Sequence, residues 1–571
     1  MPVAPAPIEL PTSLPVLNLS LSPMGETAVV LSRPSRLGSA ATREVSSSLD
    51  MQIVDLTHIT PGLFALSNLS TQKLPTGGSY LFGGRSFSNA GQLVVRGDNR
   101  IPESGEINSP NELFGTTGEF HLLEVEHNRV RLSADYFGVQ QLFKYDDGNT
   151  FVAATSYHLL LRIVKSLGLN INIDYARSRR ILDEGRVFHS RVAIDAEHCS
   201  ILAIYEHVEI DTEGPRIIQT DLHDLLYKRR DFSEQKYASL ISQARDEIVH
   251  NMQMVFESSD FEAVVVDLSG GMDSRLLYAA CTQIPQALVR RKIQINCQHA
   301  PSPSAVRGGD LEVALEVNSI WNYPTVSNNY PERRWVNISS EAAPGTISIN
   351  KISRNFGTHK NYNHITPRHV DQYCLNVARV SGFIGECYRS ADSQNIRSGT
   401  SYINHRNRYM TSRAFENILS PLASKSALEA GLYYQRNHPE SNILRTVFDI
   451  LIALNPMLAM VRFHNESLRE FVESDEFRSC LNFPRGLNVD VARVENPQPT
   501  NLARYEGEPQ VEEFVFAEEN VEAMMDRIIS YNPAYSDIIA RVDASTAARN
   551  NTTVYRLWNL YFAIDIAEGR G

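Results

Sequence analysis

The sequence predicts an α/β protein in which an N-terminal β-sandwich precedes a parallel-sheet domain whose C-terminal part is helical. Three observations carry this expectation. Short β-branched runs separated by turn-forming residues fill the N-terminal part. From Ala263 the order strand, glycine turn, helix begins, and further strand and helix signals continue the alternation of parallel βαβ units. Beyond Arg413 the pattern is mainly helical. A chain of 571 residues exceeds one core at roughly 100–200 residues per domain, and the change of pattern divides it into 1–215 and 216–571.

The strands come first. Thr27–Leu31 and Gln92–Val95 are β-branched runs in a Pro-, Ser- and Gly-rich setting. Gly118–Val125, Val130–Ser133, Gln141–Tyr145 and Thr150–Ala154 follow, with Asp146-Asp147-Gly148 as a turn. A sandwich fits this spacing better than a barrel. Near Asp231 the period changes. Asp231 and Glu234 stand at capping-box spacing before Tyr237, Leu240, Ile241, Ala244, Ile248 and Met252, the apolar stripe of an amphipathic helix. Ala263–Leu268 then reads as a strand buried on both faces, and Arg275–Cys281 as a helix. Strands at Lys292–Cys297 and Asn376–Val380, with a helix at Asp310–Ser319, continue the series. Asn488–Gln510, polar and broken by Pro497, Pro499 and Pro509, reads as a loop.

Composition narrows the function. Hydrophobic residues make up 42% and the net charge is −12 with dispersed Lys and Arg, which disfavours nucleic acid as a partner. Six cysteines without a CxxC pair argue against a zinc site or disulfide framework and for free thiols in a reducing cytoplasm. No apolar run is long enough to span a membrane, and the Pro-rich N-terminus lacks a basic leader, so neither export nor membrane insertion is expected.

Ser269-Gly270-Gly271-Met272-Asp273-Ser274 lies between the buried strand and the helix. Its two glycines allow close backbone approach to a ligand, its hydroxyls can donate to phosphate oxygens, and the helix N-terminus favours an anion. Asp273 would repel that anion unless it held a cation, and Mg²⁺ commonly links one or two carboxylates to substrate phosphates. The loop therefore points to a metal-nucleotide.

This loop matches every fixed position of SGGxDS, the signature of the PP-loop ATP pyrophosphatases, and over roughly residues 110–450 the chain resembles their asparagine-synthetase-like group. That group includes the β-lactam synthetases and lasso-peptide cyclases. Gly118-Glu119-Phe120, Asp135-Tyr136-Phe137-Gly138, Leu142–Tyr145 and Phe151–Ala154 resemble the closing pieces of its glutaminase-like N-terminal domain. Ser381-Gly382-Phe383-Ile384-Gly385-Glu386 resembles its second nucleotide loop, with Ile384 where a second glycine is expected. The resemblance implies that Leu268, Ser269, Gly270, Gly271, Asp273, Ser274, Ser381 and Gly382 surround ATP, and that Asp273 and Glu386 hold Mg²⁺. Asp310 matches the family's helix start after the second strand, and Ser420-Pro421-Leu422 its later R-x-P-F-L segment. The implied reaction is adenylation of a small-molecule or peptide carboxylate, then capture by an amine as an amide or lactam.

Three departures bear on the chemistry. Pro2 stands where glutamine-hydrolysing members carry the nucleophilic cysteine, and the nearest thiol is Cys199. The N-terminal domain is therefore expected to be a scaffold without its nucleophile. Phe383 occupies the position of the amine's general base and cannot move a proton, which makes asparagine an unexpected product. The family's late lysine has no counterpart after Lys425; Arg462 and Arg485 are candidate sources of charge without the same geometry. No catalytic residue is assigned. His299 reads as a surface or structural histidine, Cys297 and Cys387 as small buried hydrophobes, and Lys228-Arg229-Arg230 as a solvated linker. Homo-oligomerisation is left open. A non-catalytic scaffold or binding subunit is the rival reading.

Overall fold

A computed structural model describes residues 27–32, 51–69, 71–73, 78–96, 110–184, 192–193, 195–228, 230–297, 308–325, 335–337, 377–380, 382, 384–385, 387–390, 417–483, 513–515, 518–544 and 551–569. The N-terminal strands are β1 (Thr27–Ser32), β2 (Gln52–Asp55), β3 (Leu63–Ser67), β4 (Gln72–Lys73), β5 (Ser79–Phe87), β6 (Leu93–Arg96), β7 (Thr117–Val125) and β8 (Arg129–Ala134). They are followed by β9 (Phe143–Asp146), β10 (Thr150–Ala154), β11 (Val192–Ala193), β12 (Cys199–Ile201), β13 (Glu206–Asp211) and β14 (Gly214–Gln219). They form two antiparallel sheets. One has the order β11-β12-β9-β10-β1-β3-β2; the other runs β14-β13-β8-β7-β5-β4, with β6 on β5.

Alternation along each strand builds the layers. Val29, Ala65, Phe151 and Ala153 of the first sheet share a core with Leu81, Leu123, Leu132 and Val208 of the second. Their neighbours Ala28, Val30, Phe64 and Leu66 face the other way, into a core closed by the helices Tyr157–Ser166, Glu518–Tyr531 and Asn551–Ala567. Lys165 Nζ donates to the carbonyl of Ala567 at 2.6 Å across this helical layer. Helices that the sequence assigns to 216–571 thus pack on a sheet of 1–215.

The third sheet is parallel. β15 (Ala263–Leu268) lies between β16 (Ile293–Cys297) and β18 (Val377–Val380), with β19 (Asn417–Leu419) beyond, in the order β16-β15-β18-β19. A separate parallel pair joins β17 (Trp335–Asn337) to β20 (Glu513–Val515). Val264, Val266 and Leu268 enter the largest core together with the helices Glu234–Glu257, Met272–Gln283 and Arg445–Leu454. Phe87, Leu93, Tyr136 and Phe137 join that core too, so the second antiparallel sheet abuts the parallel one. The helix Glu234–Glu257 buries Tyr237, Leu240, Ile241, Ala244, Ile248 and Met252. Its cap is Ser233, whose hydroxyl accepts from Lys236 N–H, while the carbonyl of Asp231 is occupied by Tyr433. Among the described residues no helix is long and apolar enough to cross a membrane.

Candidate functional site

β15 ends at the fully buried Leu268, paired in register with Cys297, and the chain turns at once into the helix Met272–Gln283. Gly271 is the N-cap and has no side chain to bond the first-turn amides, so the positive end of the helix dipole meets the loop. Ser269 and Ser274 close the loop on itself. Their hydroxyl oxygens lie 3.0 Å apart, Ser269 N–H donates to Ser274 Oγ at 3.0 Å, and Gly271 N–H donates to Ser269 Oγ at 3.2 Å. The serines therefore shape the loop. Gly270 receives His464 N–H on its carbonyl at 3.2 Å, which ties the loop to the C-terminal helical part.

Parallel pairing of β15 with β18 brings the second loop alongside. A Cβ on Gly382 would lie 3.0 Å from the backbone carbon and Cβ of Asp273 and from Ser274 N, so a side chain there would fit only if these atoms gave way by a few tenths of an ångström. A Cβ on Gly385 would lie 2.8 Å from Leu422 Cδ1 and 3.1 Å from Asp273 Oδ1. Both glycines thus press on Asp273, one of the two carboxylates expected to hold a cation. Between them the buried Ile384 has φ +77°, the left-handed region that costs a β-branched residue most. Of the predicted site, the structure brings together Leu268, Ser269, Gly270, Gly271, Asp273, Ser274 and Gly382. Ser381, Phe383, Glu386, His299 and Arg485 lie outside the described residues.

Arg462, a candidate source of charge, is engaged elsewhere: it pairs with Glu312 at 2.7 Å and Glu316 at 2.5 Å. Lys425 sits with Nζ 4.3 Å over the Tyr136 ring, and burial lowers its pKa against the opposing pull of Asp221 and Glu247. Cys199, Cys281, Cys387 and Cys480 are buried, and none of them forms a disulfide among the described residues.

Sequence reasoning missed Arg275. It is fully buried, and its guanidinium donates to the carbonyls of Leu458, Val461 and Arg462 at 3.1, 2.7 and 2.7 Å. Burial pulls its pKa down to about 9. The only signal was a charge inside an apolar helical run. A second missed feature is a narrow cleft of about 10 Å³, where Arg85, Gly118 and Glu119 face Ile384, Leu419 and Ser420. Arg85 and Glu119 are opposite one another on β5 and β7, both buried, with charged atoms 4.0 Å apart.

Among the described residues no group of three His, Cys, Asp or Glu side chains could hold a metal by itself. A Mg²⁺ that arrives with a polyphosphate needs only one or two carboxylates, the rest of its shell being phosphate oxygen and water. Asp273, half-buried at a helix N-terminus and flanked by two glycines, fits that donor set.

No family model matches the chain, and no curated protein matches it. Among solved structures, the glutamine phosphoribosylpyrophosphate amidotransferase from B. subtilis complexed with ADP and GMP overlaps 50% of this chain at 12% identity and a TM-score of 0.19. The chain spans 63% of that structure's length. A structure of the allosteric regulatory enzyme of purine biosynthesis overlaps 52% of this chain and 74% of its own, at 14% identity and a TM-score of 0.20. Scores of this size define no shared fold.

Proposed function

We propose that the protein is an ATP-dependent carbon–nitrogen ligase of the asparagine-synthetase-like PP-loop group, which adenylates a carboxylate and joins it to an amine without using glutamine. One observation carries the reading: the SGGMDS loop, set between a buried parallel strand and a helix N-terminus, has Asp273 packed against Gly382 and Gly385 of the neighbouring strand's loop. In this reading a carboxylate oxygen of a small molecule or peptide bonds to the α-phosphorus of ATP and pyrophosphate leaves. The amine then bonds to the acyl carbon and AMP leaves. Asp273 and Glu386 would hold Mg²⁺, which offsets charge on the departing pyrophosphate. Loop amides and the helix N-terminus orient the phosphates, and fixing both reactants in line supplies much of the acceleration. The reaction is assigned to the cytoplasm.

The scaffold reading has one observation in its favour, the left-handed Ile384 where a functional loop of this kind would carry glycine. Incubation with ATP, Mg²⁺ and candidate carboxylate and amine pairs, with AMP, pyrophosphate and a dehydrated product followed by mass spectrometry, separates the two. Pyrophosphate coupled to amide formation supports the ligase, and coupled glutamate release from glutamine would contradict the glutamine-independent part. ATP turnover absent with every pair favours the scaffold.

A further inference from the structure

β15 is two-faced in an unusual way for the centre of a parallel sheet. Val264, Val266 and Leu268 enter the apolar core, whereas Asp267, on the opposite face, belongs to a polar cluster spanning three strands. Its carboxylate accepts from Arg379 Nε of β18 at 3.0 and 3.2 Å and from Asn296 Nδ2 of β16 at 2.7 Å. Asp267 is 4% exposed, and the Arg379 side chain is only 13% exposed. Parallel sheets are ordinarily apolar on both faces, and a buried pair repays its desolvation only with good geometry and further hydrogen bonds. A simple stability role would be met as well by aliphatic residues.

The cluster's place along the strands is informative. Asp267 lies two residues before Ser269, and Arg379 two residues before position 381, so the ion pair joins the two strands just before each enters its loop. Beyond it, Gly382 and Gly385 approach Asp273 so closely that a Cβ on either would lie only about 3 Å from it. A small slip of β18 along β15 would open or collide that contact. We propose that Asp267, Arg379 and Asn296 are positioning residues that set the register of the two loops and thereby the placement of Asp273; the catalytic consequence rests on the ligase reading above. Arg379 supplies a directional Nε donor that a lysine cannot reproduce.

The test uses the full chain with Arg379→Met, Arg379→Lys and the exchanged double variant Asp267→Arg/Arg379→Asp. Without nucleotide, hydrogen exchange is followed at the hydrogen-bonded amides of Ser269, Gly271 and Gly385, with Val29 and Leu66 of the first antiparallel sheet as references. Arg379→Met is expected to accelerate the three loop amides by more than about tenfold relative to the references. Arg379→Lys should recover little and the exchanged pair more. Equal acceleration at Val29 and Gly385, or unchanged loop exchange in folded Arg379→Met, would overturn the proposal. A parallel titration of the unmutated protein with ATP and Mg²⁺ reads the functional assignment separately: absence of binding defeats the ligase reading, while the exchange comparison still decides the positioning role. Where turnover is present, unchanged kcat and apparent Mg²⁺ constant in Arg379→Met would also overturn it.

Discussion

Arg275 lies over the ring of Phe463, its guanidinium carbon 3.6 Å from the centroid. The residue directly after the last serine of the loop is thus locked to the segment that leaves the short helix Pro456–Met460, where it satisfies carbonyls that the helix end leaves open. The same segment returns His464 N–H to Gly270. Arg275→Met is expected to leave three carbonyls short of a donor and lower stability by on the order of 3–5 kcal/mol, read from urea unfolding. Arg275→Lys should recover only part, because a point charge cannot span three acceptors.

Asp273→Asn removes charge while keeping size. Pyrophosphate release with ATP is expected to fall by roughly 10²–10³, the usual effect of removing one electrostatic stabiliser. The melting temperature without ligand should stay almost unchanged, and Glu386→Gln should behave alike. Release at the unmutated rate in both variants would refute the metal assignment.

The buried Asp195 gives the stability a definite pH dependence. Its carboxyl bonds the Tyr157 hydroxyl, and desolvation raises its pKa from 3.8 to about 7. A carboxyl that holds its proton more tightly when folded contributes its full stabilisation below about pH 4 and loses it as pH rises towards 7. The loss is on the order of 4 kcal/mol. Asp195→Asn should flatten this part of the profile in denaturation series between pH 4 and 8, and leave the protein more stable than the unmutated chain at pH 8.

Gly431 lies inside the helix Lys425–Asn437, where alanine ordinarily stabilises. Here a Cβ would come 2.3 Å from the carbonyl oxygen of Tyr388, in the short helix Cys387–Ser390 that follows the second loop. Gly431→Ala should therefore destabilise by about 1–3 kcal/mol, as overpacking does. The shift should appear in thermal unfolding.

Elements with a clean local period were legible in the sequence. Ala263–Leu268 and Thr150–Ala154 have the bounds read from their residues, and the stripe from Tyr237 to Met252 is the buried face of its helix. The helices Tyr157–Ser166 and Tyr175–Glu184 were not read, although Ser156 caps the first by accepting from Leu159 N–H. A ten-residue helix inside a run of strands has too few turns to outweigh its surroundings. At the site, the loop was visible because glycine, hydroxyl and carboxylate sit in one contiguous stretch. Arg275 with its carbonyls and Asp267 with Arg379 were not, because their partners are more than 100 residues distant and no local pattern marks them.

The contact between Lys165 and Ala567 joins segments that are made far apart in time during synthesis. The strands β1, β2, β3, β9 and β10 of the first sheet and the helix Tyr157–Ser166 leave the ribosome about 350 residues or more ahead of the helices Glu518–Tyr531 and Asn551–Ala567, a delay of roughly 20–70 s at ordinary elongation rates. Throughout that interval the core that Ala28, Val30, Phe64 and Leu66 share with three helices has Tyr157–Ser166 in place but lacks Glu518–Tyr531 and Asn551–Ala567. Nascent chains stopped before residue 518 should therefore bind hydrophobic dyes and chaperones that chains carrying both later helices release.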